Sequence, residues 1–138
     1  MTRLLLTPLV ALPLLLGCSL ENDVTRISGA ETRSVSDSPR IVPAGFVQGS
    51  DGTRMELVTA DGTVLSGLLA QQAMPVVVPL ATTSAPLVGG GTELIGDVTS
   101  ADGLAMACRF RLLNPARGID GGGSGRCEGA GRRVDFLF

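Results

Sequence analysis

The stretch LAMACRFRL at residues 104–112 decides the fold class of this chain of 138 residues. Its large apolar residues and a cysteine occupy every second position, and alanine or arginine fills all four positions between them. Side chains of a β-strand alternate between two faces, so this pattern predicts a strand with one apolar and one polar face. Such a strand needs a sheet and a core to cover its apolar face.

Segments of similar character occur on both sides of this strand, and turn-forming residues separate them. Asp-Gly dipeptides, in which glycine accepts a positive φ without steric cost, start at residues 51, 61, 102 and 120. Residues 71–73 are expected to form one helical turn. After the N-terminal segment, no stretch of about ten or more residues has strong helical periodicity. The sequence therefore predicts an all-β domain, a small antiparallel barrel or sandwich of about six to eight strands. The other predicted strands are residues 54–58, 63–69, 74–80, 93–99, 125–128 and 133–138.

The N-terminal segment has the organisation of a bacterial export signal. Arg3 precedes an apolar run over residues 4–16; at about 13 residues, this run has the length of a signal-peptide core and is too short to span a bilayer. The run leads into Leu15-Leu16-Gly17-Cys18, which resembles the lipobox of bacterial lipoproteins. The resemblance implies that residues 1–17 are removed as a signal peptide and that Cys18 carries the lipid. A secretory signal followed by an unrelated cysteine is the alternative.

The same resemblance implies a location and an outline for the mature protein. Ser19 follows the cysteine, and an aspartate there retains enteric lipoproteins at the inner membrane, so we expect an outer-membrane anchor with the protein facing the periplasm. Several acyl chains would anchor the protein in the membrane, because a single chain gives only marginal membrane binding. Residues 18–43 are polar and rich in serine and threonine, which predicts a disordered tether. Residues 44–138 are then the folded domain.

Two cysteines, Cys108 and Cys127, remain in the predicted domain. Cysteines of exported proteins are usually oxidised in pairs, so we expect a disulfide between them. Cys108 lies on the apolar face of its strand, and antiparallel pairing across the loop 114–124 would bring both cysteines to the inner face. Two free thiols or a pair of metal ligands are the alternatives, but the chain has no histidine to complete a metal site.

The composition argues against most catalytic chemistry. The chain has no histidine and no lysine, so all 11 basic residues are arginine. A serine nucleophile would lack the partners that activate it, and four aspartates stand in Asp-Gly turns, where the carboxylate bonds the local backbone. We therefore predict no enzyme activity, no catalytic residues, no cofactor and no metal, with calcium binding by residues 120–125 as the alternative for that loop. The net charge of −2 gives no reason to expect nucleic acid.

Arginines recur at the outward positions of the C-terminal strands. They would bind an acidic partner or lipid headgroups, or else form cross-strand pairs with the interleaved Glu128 and Asp135. The candidate partner-binding strip, called the arginine strip below, consists of Arg109, Arg111, Arg126 and Arg133.

The end of the chain carries a second resemblance. The sequence GSGRC at residues 123–127, followed by Arg132 and Phe136 and preceded by CRF at residues 108–110, resembles small uncharacterised lipoproteins of Gram-negative bacteria over about the last 35 residues. This resemblance implies a compact β-fold and no known activity. We expect a non-catalytic structural or adaptor role in the cell envelope, binding another envelope component. The alternative is a small periplasmic ligand binder or an inhibitor of lysozyme-type hydrolases, although the chain has no tyrosine for the motif of those inhibitors.

Overall fold

Antiparallel pairing between strands that follow one another in sequence builds the whole sheet. A computed structural model describes residues 23–73 and 91–138. Their strands close into one barrel, because the first strand also pairs with the last. This architecture confirms the predicted small antiparallel all-β fold, and it is a barrel rather than a sandwich. The strands are β1 (Val24–Thr32), β2 (Arg40–Gln48), β3 (Thr53–Val58), β4 (Val64–Ala73), β5 (Thr92–Thr99), β6 (Ala105–Leu112), β7 (Gly123–Gly129) and β8 (Arg132–Leu137).

The predicted alternation of β6 holds along the entire strand and places an aromatic cluster in the barrel interior. Every second residue from Met106 to Leu112 is buried, and the residues between them are exposed. The ring of Phe110 lies 5.3 Å from those of Phe46 and Phe136, in edge-on and tilted arrangements that aromatic pairs prefer. Gly125 stands opposite Phe110 on β7, where a Cβ atom would collide with its ring. Side chains therefore fill this part of the barrel interior.

The two ends of the barrel differ. We call the end with Asp23, residues 49–52 and Phe138 the entry end, and the end with residues 33–39, 59–63, 100–104 and 130–131 the far end. A short 3₁₀ segment, Pro115–Gly121, lies at the entry end and buries Ile119 against the core. Thr25 of β1 donates a hydrogen bond of 2.9 Å to Asp120 of this segment. The 3₁₀ segment thus closes part of the entry end.

The prediction that residues 18–43 form a disordered tether is wrong from Val24 onward. β1 pairs with β2 on one side and with β8 on the other, and β2 begins at Arg40. The folded domain therefore starts at least twenty residues before position 44. The alternation of β1 is hidden in the sequence because only one of its inward side chains, Ile27, is large and apolar. The other three, Thr25, Gly29 and Glu31, are small or polar.

Two further predictions concern the segment around β4. Residues 71–73 do not form a helical turn but continue β4, because they pair with residues 92–94 of β5. The predicted strand at residues 74–80 lies outside the described residues. The signal peptide at residues 1–17 and Cys18 also lie outside them.

The predicted disulfide is confirmed. Cys108 of β6 and Cys127 of β7 are directly opposite each other in the strand register, and both are buried. The bond closes a loop with a sequence separation of 19 residues around the 3₁₀ segment. In the chain-entropy model a loop of this size contributes about 3 kcal/mol to the free energy of unfolding.

Gly29 gives a direct test of whether β1 belongs to the core. A Cβ atom at this position would lie 2.5 Å from the ring of Phe136 and 2.7 Å from Val134. We expect Gly29→Ala to lower the free energy of unfolding by about 1–3 kcal/mol through overpacking, measured by urea denaturation. Gly45→Ala is the matched control, since its Cβ would lie 3.4 Å from Val24, an acceptable contact. Equal stability of the two variants would contradict the assignment of β1.

Candidate functional site

The structure brings all four residues of the arginine strip to the outer surface of β6, β7 and β8. Arg109 and Arg126 are directly opposite each other on neighbouring strands. Arg126 is opposite Asp135, and Glu128 is opposite Arg133. Like charges directly opposite each other in an antiparallel sheet are destabilising, so the Arg109–Arg126 pairing is a feature that sheet stability does not favour.

The β8 side of the strip is internally paired. Both Arg126 and Arg133 donate hydrogen bonds of 2.7 Å to Asp135, one to each carboxylate oxygen. Arg126 also lies 3.6 Å from Glu128. Burial by itself raises the pKa of Asp135, but the hydrogen bonds and charges of the two arginines outweigh burial and lower it. The hydrogen bond to Asp135 in turn raises the pKa of Arg126.

The β6 side of the strip is different, because Arg109 and Arg111 share a single carboxylate. Their guanidinium groups lie 3.8 Å and 3.6 Å from the buried Glu93 of β5, too far for a hydrogen bond. The side chains are 68% and 61% exposed, and neither makes a hydrogen bond to another side chain within residues 23–73 and 91–138. Two arginines here offer donor groups to an external partner.

A shallow open groove runs along this surface. Its volume is about 640 Å³, and charged side chains from four strands line it, among them Glu93, Asp97, Arg109 and Asp135. The groove floor is the sheet itself, at the position of the disulfide between β6 and β7. The groove carries charges of both signs, four carboxylates and three guanidinium groups, so it suits an extended polar ligand better than a small apolar molecule.

A second charged cluster, which the sequence analysis missed, lies at the far end of the barrel. Arg132 donates two hydrogen bonds, of 2.9 and 2.6 Å, to the two carboxylate oxygens of Asp61. Glu31, only 3% exposed, accepts a hydrogen bond of 2.6 Å from the backbone N–H of Ala60. Its other oxygen lies 3.6 Å from Arg132 and has no hydrogen-bond partner among the described residues. Arg33 reaches both carboxylates from the rim.

This cluster connects three separate parts of the barrel. Arg132 belongs to β8, Glu31 to β1, and Asp61 to the turn between β3 and β4. Hydrogen bonds, first from Arg132 and then from Thr59, hold the pKa of Asp61 far below its usual range. The predicted bonding of Asp61 to its own turn is present, because Asp61 accepts a hydrogen bond of 3.3 Å from the backbone N–H of Thr63. Its contact with Arg132, 71 positions away in sequence, was not predicted. The two-fold hydrogen bonding of Asp61 by Arg132, with Glu31 held near the same guanidinium group, argues for a structural role.

The part of the chain that the structure describes contains no group of three or more cysteine, aspartate or glutamate side chains placed to hold a metal ion. Within the same residues, no helix has the length and apolar character needed to cross a bilayer. Comparisons of this chain with protein-family models, with curated proteins and with solved structures find no match.

The Asp61 cluster predicts a specific pH dependence. An aspartate whose pKa is lowered by folding adds stability above its unfolded pKa of about 3.9, and that stability is lost as the pH falls through the folded pKa. We expect Asp61→Asn to destabilise the protein at neutral pH, and the difference from wild type to shrink steadily as the pH falls below about 4. Urea midpoints measured between neutral and acidic pH would report it.

Asp102→Asn is the matched control for this experiment. Asp102 occupies the same place in an equivalent turn, because Gly62 donates to Thr59 and Gly103 donates to Ser100 in the same way. The side chain of Asp102 makes no hydrogen bond or ion pair within residues 23–73 and 91–138. A pH-independent difference at position 61, or an equal effect at position 102, would contradict the account.

Proposed function

We propose that this protein is a lipid-anchored component of the bacterial cell envelope with a non-catalytic, structural or adaptor role. It binds an acidic segment of another envelope component through Arg109 and Arg111 at the edge of the arginine strip. The anchor is Cys18, and the location is the periplasmic face of the outer membrane. The resemblance of residues 15–18 to a lipobox and the presence of a disulfide, which needs an oxidising compartment, support this assignment.

The arrangement of charge on β6 and β7 carries the proposal for partner binding. The register sets Arg109 against Arg126, although like-charged neighbours weaken a sheet. Among the described residues, Arg109 and Arg111 also share one buried carboxylate, that of Glu93. An acidic group from outside would satisfy their donors and reduce the repulsion. Arginine suits this task because its planar fork binds carboxylates with two parallel hydrogen bonds.

A filled interior supports a role on the outer surface over the binding of a ligand inside the barrel. Larger barrels hold ligands in a central cavity, but here the rings of Phe46, Phe110 and Phe136 occupy the interior. The second candidate is therefore an inhibitor that acts from the outer surface on a periplasmic hydrolase. A rigid closed barrel with a buried disulfide favours it, and a panel of lysozymes tests it by loss of their activity.

Intact mass spectrometry of the membrane-extracted protein tests the anchor. We expect loss of residues 1–17, added lipid mass on Cys18 and, after reduction, the gain of two hydrogens from a single disulfide. Cys18→Ser should abolish the lipid mass and release the protein from the membrane fraction. A wild-type product without lipid that stays soluble after export would refute the anchor.

Affinity capture from detergent-extracted envelopes tests the partner. We expect the double variant Arg109→Ala/Arg111→Ala to recover about ten-fold less of the captured component than wild type, because a hydrogen bond to a charged group contributes about 1.5–3 kcal/mol. Arg54→Ala is the control, since Arg54 is an exposed outer-face arginine on β3 at 3.7 Å from Asp51. A component enriched equally by all three proteins, or none at all, would count against the role.

A further inference from the structure

We infer that the entry end of the barrel rests on the lipid surface, with Leu113 and Leu137 inserted at the boundary between headgroups and acyl chains. This inference rests on the proposed lipid anchor at Cys18. It adds that the entry end contacts lipid, whereas the proposed adaptor role does not say which part of the barrel faces the membrane.

The distance between the anchor and the fold limits how the barrel sits. Asp23 is the first described residue and stands at the entry end, five residues after Cys18. An extended chain spans at most about 3.3–3.6 Å per residue, so Asp23 lies within about 18 Å of the lipid-bearing residue. The assignment of residues 24–43 to the fold thus replaces a long tether with a short one.

The five-residue link between Cys18 and Asp23 is too short for the far end of the barrel to rest on the membrane. β1 runs from Val24 at the entry end to Thr32 at the far end. With a rise of about 3.3 Å per residue and a strand tilt of about 40°, β1 climbs roughly 20 Å along the barrel axis, and the far-end loops add to that. With the far end down, Asp23 would stand farther from the membrane than the link can reach. The remaining orientations place the entry end, or a side wall, on the lipid.

The entry end presents apolar side chains where contact is expected. Leu113 is 79% exposed and Leu137 is 85% exposed. They flank the beginning of β7, because Leu113 donates its backbone N–H to Gly122 and Leu137 is opposite Ser124. Their neighbours Leu112 and Phe136 point inward, so the two leucines point outward. Exposed Pro115 continues this apolar rim.

Apolar exposure alone does not choose between the two ends. Val35 at the far end is 108% exposed, and Ile41 near that end is exposed as well. The short link to Cys18 excludes the far end, and the two exposed leucines, which are more exposed than Leu68 on the wall, favour the entry end over a side wall. An isolated leucine on a surface needs no explanation, but two of them on the end that the anchor holds near the bilayer match the geometry of a peripheral contact.

The composition offers a clean probe for this contact. The chain has no tryptophan and no tyrosine, so one introduced tryptophan is the sole strong emitter. We would place it at Leu113 or Leu137, with Val35→Trp as the far-end control and Leu68→Trp as the wall control on β4, where Leu68 is exposed. The full lipidated proteins would be reconstituted into phosphatidylcholine vesicles with or without brominated acyl chains, which quench a nearby indole.

We expect roughly a two-fold loss of emission from Leu113→Trp and Leu137→Trp in brominated vesicles, because a contact of this kind lies within about 5–10 Å of the headgroup–acyl boundary. Val35→Trp and Leu68→Trp should keep their emission. Equal quenching at all four positions, or stronger quenching at position 35 or 68, would overturn the inference. Flotation of each sample separates the two proposals: protein that fails to float refutes the anchor, whereas protein that floats without quenching at positions 113 and 137 refutes only the orientation.

Discussion

Closure of the sheet by β1 is the constraint on which the rest of this structure depends. β1 pairs with β2 along nearly its whole length and with β8 through residues 29–32. Without it, β2 and β8 would be edge strands with rows of unpaired backbone groups, the surfaces that lead sheets to aggregate. β1 also contributes Gly29, which makes room for Phe136, and Glu31, which meets Arg132 at the far end. The core, the closed ladder and the far-end charge cluster all require this strand.

Sequence reasoning succeeded where a strand has large apolar side chains on one face only. The alternation of residues 104–112 predicted β6, its inward residues and the meeting of Cys108 with Cys127. It failed on β1 because the space that an apolar side chain at position 29 would fill is occupied by the ring of Phe136, which is paired with Gly29 on the neighbouring strand β8. Where a neighbouring ring requires a glycine, the strand lacks the apolar side chain that would reveal its alternation. The sequence of β1 therefore resembles a polar, disordered segment.

The positions of the charged residues were likewise predictable only in part. Their outward placement on β6, β7 and β8 followed from period two and was predictable. The division of the arginine strip into a paired side and a less paired side depends on side-chain geometry. Asp135 accepts hydrogen bonds from two arginines, whereas Glu93 stays 3.6 Å from Arg111 although the two residues are directly opposite each other. The contact of Arg132 with Asp61 joins residues 71 positions apart, and no local sequence pattern predicts it. The far-end cluster depends on the closure that brings β8 beside β1, whereas the arginine strip depends on the register of the consecutive strands β5 to β8.

The most direct test of this account is hydrogen–deuterium exchange of the backbone amides in residues 24–32 of the membrane-extracted protein. If β1 closes the barrel, these amides exchange as slowly as those of β8 and become labile only when the whole domain unfolds. Rapid exchange across residues 24–32 beside a protected remainder of the domain would mean that the barrel is open, that the tether is long, and that the arrangement of the protein against the membrane described above is incorrect.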